Sequence, residues 1–522
     1  MADYNATDIM LGEFYMESTS KKGNSSDVFR KLALIGSYHI SLSEVLKNLD
    51  IRSIYIYGFG EIGQILFRQI KDEIKIEAII DKEKCKTKKL YDGIKIISPD
   101  SIPIDEVPIV VTPSAYAKEI IFQLMKQGVE KRRLWSFNVL LEVVLKFGKN
   151  TIVEKDFSKQ FLITGANFEN KGAQAMLFTA VSEIRKRYPN AIVWYLPNTN
   201  WKYYTEVIKD QYKMLFLLNG LYKYSEVYEI AHNLTAIVDV SGYALATHFK
   251  SARTIPLTQM AYDYNVPLYF MPQSFGPLGF SEEVHAELRR LLPTAKVIFA
   301  REQQGYDEMK QKYHLENIYL SWDLVLQNKG IDANYIYEEK PDLSKYSIEE
   351  KNAVAIIPNI HTYKWGKRDE VLRMYKGIID CLLAQDKRVY IVCHSNDEEV
   401  SNDIYAMYPD NESVILYDKE FDCIGYSALV KSFQYIIASR YHAIVHAYKE
   451  HVPCIAIGWA EKYKELLGTF KQENYVFDVR EEVDIEKLLD AIKRMNRNFE
   501  NEKEVLKNVL PELQKENCFD VL

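Results

Sequence analysis

The sequence predicts an α/β protein made of three units of parallel β-sheet, and three observations support this. Short apolar runs alternate with amphipathic helical stretches along most of the chain, which is the pattern of βαβ units. Several of these runs end in turns rich in Gly or Asn, as strands do where a helix follows. Two polar segments, at about 147–159 and 327–352, interrupt the alternation. The resulting divisions are a flexible arm at 1–30, units at 31–150, 160–330 and 350–500, and a charged helical tail at 501–522.

Composition argues against several classes of protein. The 522 residues are 47% hydrophobic and 27% charged, which is ordinary for a globular chain of roughly three to four domains. Acidic residues outnumber basic ones by 73 to 66, so the charge gives no support for a nucleic-acid partner. No apolar run approaches the ~20 residues of a transmembrane helix, and the first residues lack the apolar core of a signal peptide. Six cysteines without CxxC spacing fit a reducing compartment, so we expect a cytoplasmic protein with no transmembrane segment.

The first unit carries a glycine-rich turn between a strand and a helix. Gly58, Gly60 and Gly63 form a GxGxxG motif directly after an apolar strand at 53–57. Glycines at this spacing permit a tight turn and a close approach of the backbone to a diphosphate at the helix N-terminus. Asp81 ends the next strand, 18 residues past Gly63, where an acid binds a ribose in such domains. The motif predicts that these four residues bind a nucleotide or a nucleotide-sugar.

Two other interpretations of this unit stay open. A Rossmann-type domain of this size also serves as a structural or regulatory element. A dehydrogenase would carry the same motif, but the unit spans only about 100 residues and shows no evident hydride-transfer residues.

The second unit places polar residues after several of its strands. Asn170 and Gly172 lie in a Gly/Asn-rich loop, and Gln273 ends a later strand, so all three are expected at the sheet edge where α/β proteins bind ligands. Arg301 follows directly after the apolar strand at 297–300. A charged side chain at the end of a buried strand is costly without a partner. Arg301 is therefore expected either to bind a ligand or to form a structural ion pair with Glu302 or another acid.

The third unit repeats this arrangement at a strand-to-helix turn that carries Arg440 and His442. Two residues apart, these side chains can face the same cleft, where a guanidinium binds a carboxylate or phosphate and an imidazole transfers a proton. The alternatives are a structural salt bridge for Arg440 and a buried, helix-starting histidine for His442. His446 follows at i+4, but without an HExxH glutamate or an evident third ligand the pair does not predict a metal site.

Taken together, residues 160–470 resemble the polysaccharide pyruvyl transferase family, whose members are similar in fold to GT-B glycosyltransferases. The resemblance predicts a GT-B-like pair of Rossmann-like domains, preceded by the small Rossmann-like domain. Two departures are Tyr243, where the family has a second glycine, and His451, where it has a glycine before Val-Pro. The motifs that carry the resemblance are Asn170-Lys171-Gly172-Ala-Gln174-Ala175, Asp239-Val-Ser-Gly242, Gln273-Ser-Phe-Gly276-Pro277, Arg301-Glu302, Asp323 and Ser439-Arg440-Tyr441-His442.

The resemblance implies transfer of a pyruvyl group from phosphoenolpyruvate to a sugar of a surface-glycan precursor, as a ketal. His442 matches the family's catalytic histidine, and Arg301 and Arg440 match its donor-binding arginines. The saccharide acceptor would be lipid-linked or nucleotide-linked, and the transfer itself requires no cofactor. The first unit lies outside the resemblance, so its nucleotide or nucleotide-sugar is a separate expectation.

Two other functions are compatible with these residues. A GT-B glycosyltransferase that uses a nucleotide-sugar would need an acid that binds ribose in the third unit, and Glu461 is a weak candidate. A non-catalytic sugar- or nucleotide-binding protein would not need Arg301, Arg440 and His442 together, so their presence favours an enzyme.

Overall fold

The computed structural model describes residues 21–151, 155–197, 211–217, 225–243, 245–246, 254–458, 461–480 and 483–522. These residues form three β-sheets of six, seven and six strands. Each sheet belongs to one of the three units that the sequence predicts, and short apolar strands lie between helices throughout.

The N-terminal domain contains the first six-stranded sheet. All of its strand pairs are parallel except a short hairpin between β3 and β4. Its strands are β1 (Ser53–Tyr57), β2 (Lys75–Ile80), β3 (Leu90–Tyr91), β4 (Ile94–Ile97), β5 (Ile109–Val111) and β6 (Leu134–Ser136). Its helices are α1 (Lys21–Ser37), α2 (Leu42–Asn48), α3 (Glu61–Ile70), α4 (Lys84–Thr87), α5 (Ala117–Lys126) and α6 (Phe137–Thr151).

The next domain, called here the first half, contains the seven-stranded parallel sheet. Its strands are β7 (Asp156–Thr164), β8 (Ala191–Tyr195), β9 (Leu215–Phe216), β10 (Ala236–Asp239), β11 (Leu268–Gln273), β12 (Val297–Ala300) and β13 (Ile318–Leu320). Its helices are α7 (Lys171–Arg187), α8 (Ser225–Ala231), α9 (Thr254–Asp263), α10 (Glu282–Leu291), α11 (Gln303–Tyr313) and α12 (Leu324–Gln327).

The second half contains the last six-stranded parallel sheet. Its strands are β14 (Ala353–Ile357), β15 (Arg388–Val392), β16 (Val414–Tyr417), β17 (Ile436–Ala438), β18 (Cys454–Gly458) and β19 (Val476–Asp478). Its helices are α13 (Thr362–Trp365), α14 (Arg368–Leu383), α15 (Glu398–Tyr405), α16 (Cys423–Val430), α17 (Tyr441–Lys449), α18 (Glu461–Thr469) and α19 (Ile485–Leu513).

All three sheets have a similar strand arrangement. In each, the first strand of the domain lies in the middle, the next strands extend to one side, and the later strands extend to the other. The order reverses between β1 and β5, between β7 and β10, and between β14 and β17. Open α/β sheets bind ligands at the carboxyl ends of the strands on either side of such a reversal.

The predicted fold class is confirmed, because two Rossmann-like halves pack against each other and a smaller Rossmann-like domain precedes them. The start of α7 in the first half packs on α16 and α17 in the second half. One hydrogen bond across this contact runs from the Cys423 backbone N–H to Gln174 Oε1, at 2.8 Å. The N-terminal domain packs on the first half through α5 and α8.

The two ends of the chain differ from the predicted divisions. Residues 21–30 belong to α1, and residues 1–20 of the predicted arm lie outside the described residues. The predicted tail at 501–522 begins inside α19, which runs without a break from Ile485 to Leu513 because its apolar positions keep the helical spacing. Among the described helices, none combines the length and the apolar character needed to cross a membrane.

Candidate active site between the two halves

The predicted site residues of the two halves meet where α7 begins and α17 begins. Asn170 and Gly172 follow β7, which borders the reversal point of the first sheet, and Arg301 follows β12. Arg440 and His442 follow β17, which borders the reversal point of the second sheet. Because α7 packs on α17, the carboxyl edges of the two sheets place these residues at one interface.

The imidazole of His442 lies directly on the backbone of the other half. A Cβ atom at Gly172 would lie 2.3 Å from Cγ and 2.4 Å from Nδ1 of His442. A Cβ atom at Gly242 would lie 3.7 Å from Cε1 of the same ring. Two glycines of the first half therefore make room for a histidine of the second half, and no larger residue fits at Gly172 while the ring stays in place.

Asp323 faces this imidazole from the first half. Its Oδ2 lies 3.5 Å from His442 Nε2, and its Oδ1 accepts a hydrogen bond of 2.9 Å from the Val325 backbone N–H, which caps α12. The Asp323 side chain is 1% exposed. Burial lowers the pKa of His442, and the Asp323 carboxylate opposes that change. Burial alone would raise the pKa of Asp323, but His442 and Arg301 bring it well below its usual range, so Asp323 stays ionised.

Arg301 is buried and fully engaged within the first half. Its Nη1 donates to Asp323 Oδ2 at 2.9 Å, its Nε donates to Glu302 Oε1 at 3.1 Å, and its Nη2 donates to Ser274 Oγ at 2.6 Å. Its guanidinium carbon also lies 4.4 Å from the ring centroid of Tyr441, which belongs to the second half. Burial would lower the pKa of Arg301, but the neighbouring acids raise it overall, so the guanidinium stays charged. The ion pair with Glu302 that the sequence left open is present.

Arg440 pairs with a buried acid of its own half. Its Nε donates to Asp397 Oδ2 at 2.7 Å, and its Nη2 donates to Asp397 Oδ1 at 2.5 Å. Asp397 also accepts a hydrogen bond of 2.9 Å from the Ile360 backbone N–H, in the loop after β14. The salt bridge that the sequence left as an alternative for Arg440 is therefore present. The bidentate geometry fixes the guanidinium at the end of β17, with 16% of the side chain exposed.

Lys462 is a further cation at this interface, and the sequence analysis did not select it. Its Nζ lies 5.4 Å from the ring centroid of Tyr441, 5.6 Å from that of Tyr243 and 5.9 Å from that of Tyr463. Burial first, and then the charge of Arg301, lowers the pKa of Lys462 to about 8. Its ammonium makes no ion pair or hydrogen bond with the rest of the described chain, which suits a group that meets an anionic ligand.

The family comparison agrees with this arrangement. The family model described as polysaccharide pyruvyl transferase matches residues 170–461, which is more than half of the chain. The matched range includes Arg301, Asp323, Arg440 and His442 and ends one residue before Lys462. The chain belongs to the polysaccharide pyruvyl transferase family. Membership makes the protein a transferase that acts on a saccharide. A separate model, described as C2185-like, N-terminal, matches residues 51–135 of the N-terminal domain.

Three solved structures are distantly similar to this pyruvyl transferase family member. The UDP-GlcNAc 2-epimerase from Methanocaldococcus jannaschii is 13% identical, with a TM-score of 0.44, over 64% of this chain and 92% of its own. The Neisseria meningitidis UDP-GlcNAc 2-epimerase bound to UDP-GlcNAc is 12% identical, with a TM-score of 0.45, over 69% and 95%. A glycosyltransferase from Rickettsia africae is 11% identical, with a TM-score of 0.42, over 68% and 96%. Likenesses at this level carry no argument about activity. A search of curated proteins found no match.

The other predicted substrate-binding residues of the transferase have structural roles in this arrangement. Asn170 caps α7, and its Oδ1 accepts a hydrogen bond of 2.9 Å from the Gly172 backbone N–H. Gln273 is completely buried, and its Nε2 lies 3.5 Å from Asp239 Oδ1. The backbone carbonyl of Gln273 accepts a hydrogen bond of 3.0 Å from the Arg301 N–H. Direct contact of Asn170 or Gln273 with substrate stays a prediction, and the buried position of Gln273 does not favour it.

The glycine motif of the N-terminal domain is apart from this interface, at the reversal point of its own sheet. Gly58 has φ +81°, and a Cβ atom there would lie 2.3 Å from Pro113 Cγ. A Cβ atom at Gly63 would lie 2.2 Å from the Gly58 carbonyl oxygen, whereas one at Gly60 would have no neighbour within 4 Å. Asp81 Oδ2 accepts a hydrogen bond of 2.9 Å from the Phe59 N–H, so this acid supports the glycine loop. Its contact with a ribose stays a prediction.

The described residues contain no group of three His, Cys, Asp or Glu side chains placed to hold a metal ion. His446, which the sequence pairs with His442 by its i+4 spacing, has its Nδ1 2.8 Å from Ser427 Oγ. Burial lowers the pKa of His446 to about 3, so its imidazole is neutral and packed in the core.

Proposed function

We propose that this transferase moves the pyruvyl group of phosphoenolpyruvate onto a sugar of a surface-glycan precursor, as a cyclic ketal, in the cytoplasm. The observation that carries the proposal is the placement of one imidazole against an ionised acid, with two cations packed on the neighbouring residue. His442 is oriented by Asp323, and Arg301 and Lys462 both lie against Tyr441, the residue that precedes His442.

The negative charges of the proposed donor explain why cations are present at this site. Phosphoenolpyruvate carries a phosphate and a carboxylate, and each is stabilised by positive charge in a site that excludes water. Of Arg301, Arg440 and Lys462, Lys462 is the one that makes no ion pair with the described residues, so it suits the phosphate, which needs the most compensation. Arg440 is held at the end of β17 by Asp397, with part of its side chain exposed, and it suits the carboxylate. Arg301 is saturated by its own partners, so it acts mainly as a fixed positive charge beneath the donor.

The imidazole supplies the proton that the transfer needs. A proton leaves His442 and bonds to the methylene carbon of the donor, so that the neighbouring carbon becomes an oxocarbenium-like centre. One sugar hydroxyl attacks this centre and loses its proton, phosphate leaves, and a second hydroxyl attacks the same carbon and loses its proton. One released proton returns to His442, and the other leaves with the phosphate. The cyclic ketal is the product.

The low pKa of His442 in the unliganded protein is consistent with this step. Burial lowers it, and the nearby charge of Arg301 lowers it further. A bound donor would add negative charge beside the imidazole and raise that pKa, so that the histidine becomes protonated when the donor is in place.

We also propose that the N-terminal domain binds a nucleotide or a nucleotide-sugar. Gly60 supports this proposal, because the described protein gives no steric reason for a glycine there. A Cβ atom would meet no protein atom within 4 Å, whereas both neighbouring glycines of the motif are required by close contacts. The approach of a ligand to the backbone at Gly60 would supply the missing reason.

Thermal unfolding with added ligand tests the donor. A ligand present at about 100 times its dissociation constant stabilises the folded state by about 2.7 kcal/mol. We expect phosphoenolpyruvate to raise the unfolding temperature of the wild type, and Lys462→Met to remove most of that rise. Lys487→Met is the matched control, because the Lys487 side chain is 80% exposed at the start of α19.

His442→Gln should keep more of the rise than Lys462→Met does, because the imidazole faces the methylene carbon and affects donor binding only through its charge. A wild type that does not respond to phosphoenolpyruvate would contradict the proposal, and a response to UDP-sugars that survives in Gly60→Ala would then favour a nucleotide-sugar glycosyltransferase. Glu461, the acid which that alternative would need, has a side chain outside the described residues.

A further inference from the structure

Asp323 lies in an eight-residue segment, 321–328, that has little support from its own sheet. The strand that leads into it, β13, is at the edge of the seven-stranded sheet and pairs only with β12 among the described strands. Tyr319 and Trp322 are 54% and 44% exposed, so the outer side of this segment faces solvent. The carboxylate that orients His442 therefore depends on contacts other than strand pairing.

One buried side chain closes this segment around Asp323. Gln327 is 2% exposed, and its Nε2 donates to the Trp322 carbonyl oxygen at 2.6 Å and to Ser321 Oγ at 2.7 Å. Trp322 directly precedes Asp323, so this bond fixes the backbone on one side of the acid. The Val325 N–H, bonded to Asp323 Oδ1, fixes it on the other side.

The other end of the Gln327 amide is held by residues 514–522, called here the strap. Gln327 Oε1 accepts a hydrogen bond of 2.7 Å from the Cys518 backbone N–H. Gln514 Nε2 donates to the carbonyl oxygens of Leu326 and Asn328, at 3.3 and 3.4 Å. The strap follows α19, which packs on α14 of the second half, yet all of these contacts are to the first half.

The strap is itself anchored to the first half beyond Gln327. Phe519 is completely buried, Asn517 Nδ2 donates to Glu183 Oε2 at 2.9 Å, and Arg187 pairs with Asp520. From α17, the helix that carries His442, Lys449 Nζ donates to the Val325 carbonyl oxygen at 3.0 Å. Segment 321–328 is thus held from α19 on one side and from α17 on the other.

We propose that Gln327 is a positioning residue for the transfer reaction, which holds Asp323 against His442 by tying segment 321–328 to the strap. This inference rests on the proposed function, because it assigns Gln327 an effect on the proton-transfer step. With Gln327 in this role, the position of Asp323 relative to His442 depends on how the second half packs on the first half through α19 and the strap.

The test substitutes Gln327→Leu, which keeps the volume and removes all three hydrogen bonds. We expect kcat with phosphoenolpyruvate to fall about tenfold while KM for the donor changes less than twofold, because the cations are untouched. A titration of ¹³C-labelled histidine, with His442→Gln to identify the signal, should show a lower pKa for His442, because its carboxylate partner has moved away.

Ile378→Val is the matched control for lost stability, because Ile378 is completely buried in α14 and distant in sequence from the segment. If Gln327→Leu lowered the unfolding temperature as Ile378→Val does and left both kcat and the His442 titration unchanged, the inference would be overturned. A changed His442 titration in a protein that does not transfer pyruvyl groups would support the positioning role and contradict the proposed function, so the two failures are distinguishable.

Discussion

The first strand of the N-terminal domain and the first strand of the first half are each followed by a glycine and a helix, but the two loops have different partners. In both, the glycine after the strand has a positive φ, +81° at Gly58 and +95° at Gly165. In both, a Cβ atom there would collide with the loop across the reversal point, 2.3 Å from Pro113 and 2.4 Å from Ser241. These two glycines serve the fold, because L side chains rarely adopt such angles.

The two loops differ in what the next glycine contacts. Gly63 makes room for the Gly58 carbonyl oxygen, which belongs to its own turn. Gly172 makes room for the ring of His442, which lies 270 residues further along the chain and in the other half. The comparison teaches that a glycine which contacts its own domain reports on the fold, whereas one that contacts another domain reports on the site assembled between them.

Among the substitutions that test this comparison, Gly172→Ala is expected to have the largest effect. The added methyl group would lie 2.3 to 2.4 Å from three atoms of His442, so the ring must leave its present position beside Asp323. A displacement of about 1 Å in a catalytic group can cost about 100-fold in rate, and we expect kcat to fall at least that far while the donor still binds. Steady-state kinetics and the thermal shift with phosphoenolpyruvate measure the two effects.

Gly377→Ala is the matched control. Gly377 lies inside helix α14, and a Cβ atom there has no neighbour within 4 Å. Alanine should stabilise this helix by about 0.5–1 kcal/mol and leave kcat unchanged. Normal turnover in Gly172→Ala would show that the ring does not need this position, and the distinction between the two loops would then have no functional meaning.

The next test uses acid, because the site between the halves contains buried histidines and the N-terminal domain does not. Burial lowers the pKa of His394 and His442, and it lowers that of His446 to about 3. Below pH 6.5 the unfolded chain binds protons that these folded imidazoles do not, so stability is complete above that pH and falls as the pH decreases. The loss is at most about 1.4 kcal/mol per pH unit for each histidine.

Hydrogen exchange resolved by peptide, corrected for its intrinsic pH dependence, measures this difference. Between pH 7 and pH 5.5 we expect protection to fall more in α17 than in α3. The described part of the N-terminal domain has one histidine, His39, and it is exposed. Equal loss of protection in both helices would mean that the acid effect is general rather than due to the buried imidazoles.

The sequence predicted the strands better than the site. The strands at 53–57 and 297–300 match β1 and β12 to the residue, because apolar runs bounded by a turn or a charge define their own ends. The β3–β4 hairpin and β9 were not predicted, since β3 and β9 have two residues each, too few for a pattern, and β4 has a lysine among its apolar residues. The strand order was also out of reach, because pairing is decided by contacts between residues far apart in the sequence.

The site shows the same limit. His442, Arg301 and Arg440 were found because they lie in short motifs that resemble a family. Asp323 was noted in such a motif but received no role, and Lys462 was not selected. Their importance lies in distances across the interface between halves, and a single sequence contains no measure of those distances. One signal was available for Lys462: it lies near the start of a helix that follows a buried strand, where ligand-binding residues are expected.

A smaller effect is expected for Gly63→Ala in the N-terminal loop. The methyl group would lie 2.2 Å from the Gly58 carbonyl oxygen, so α3 must shift from its strand, at a cost of about 1–3 kcal/mol. Because that contact lies within one domain, kcat for transfer should stay within about twofold of the wild type. Calorimetry and kinetics on the same preparation provide both numbers, and a large loss of kcat would mean that the N-terminal loop is coupled to the site.

The smallest effect on stability, and the most informative one for the N-terminal domain, is expected from Gly60→Ala. Gly60 has φ −73°, which alanine adopts readily, and a methyl group there meets no protein atom within 4 Å. The unfolding temperature should therefore fall by only about 1–3 °C, since glycine is preferred to alanine at an N-cap by about 0.5–1 kcal/mol. If a diphosphate binds against this backbone, the same methyl group occupies its place, and a thermal shift produced by UDP-glucose or NADH in the wild type should disappear. A shift that survives in Gly60→Ala would place that ligand elsewhere, and no shift in either protein would favour the structural role that the sequence left open. In that case Gly60 would differ from both Gly63 and Gly172, as a glycine that neither the fold nor a site requires.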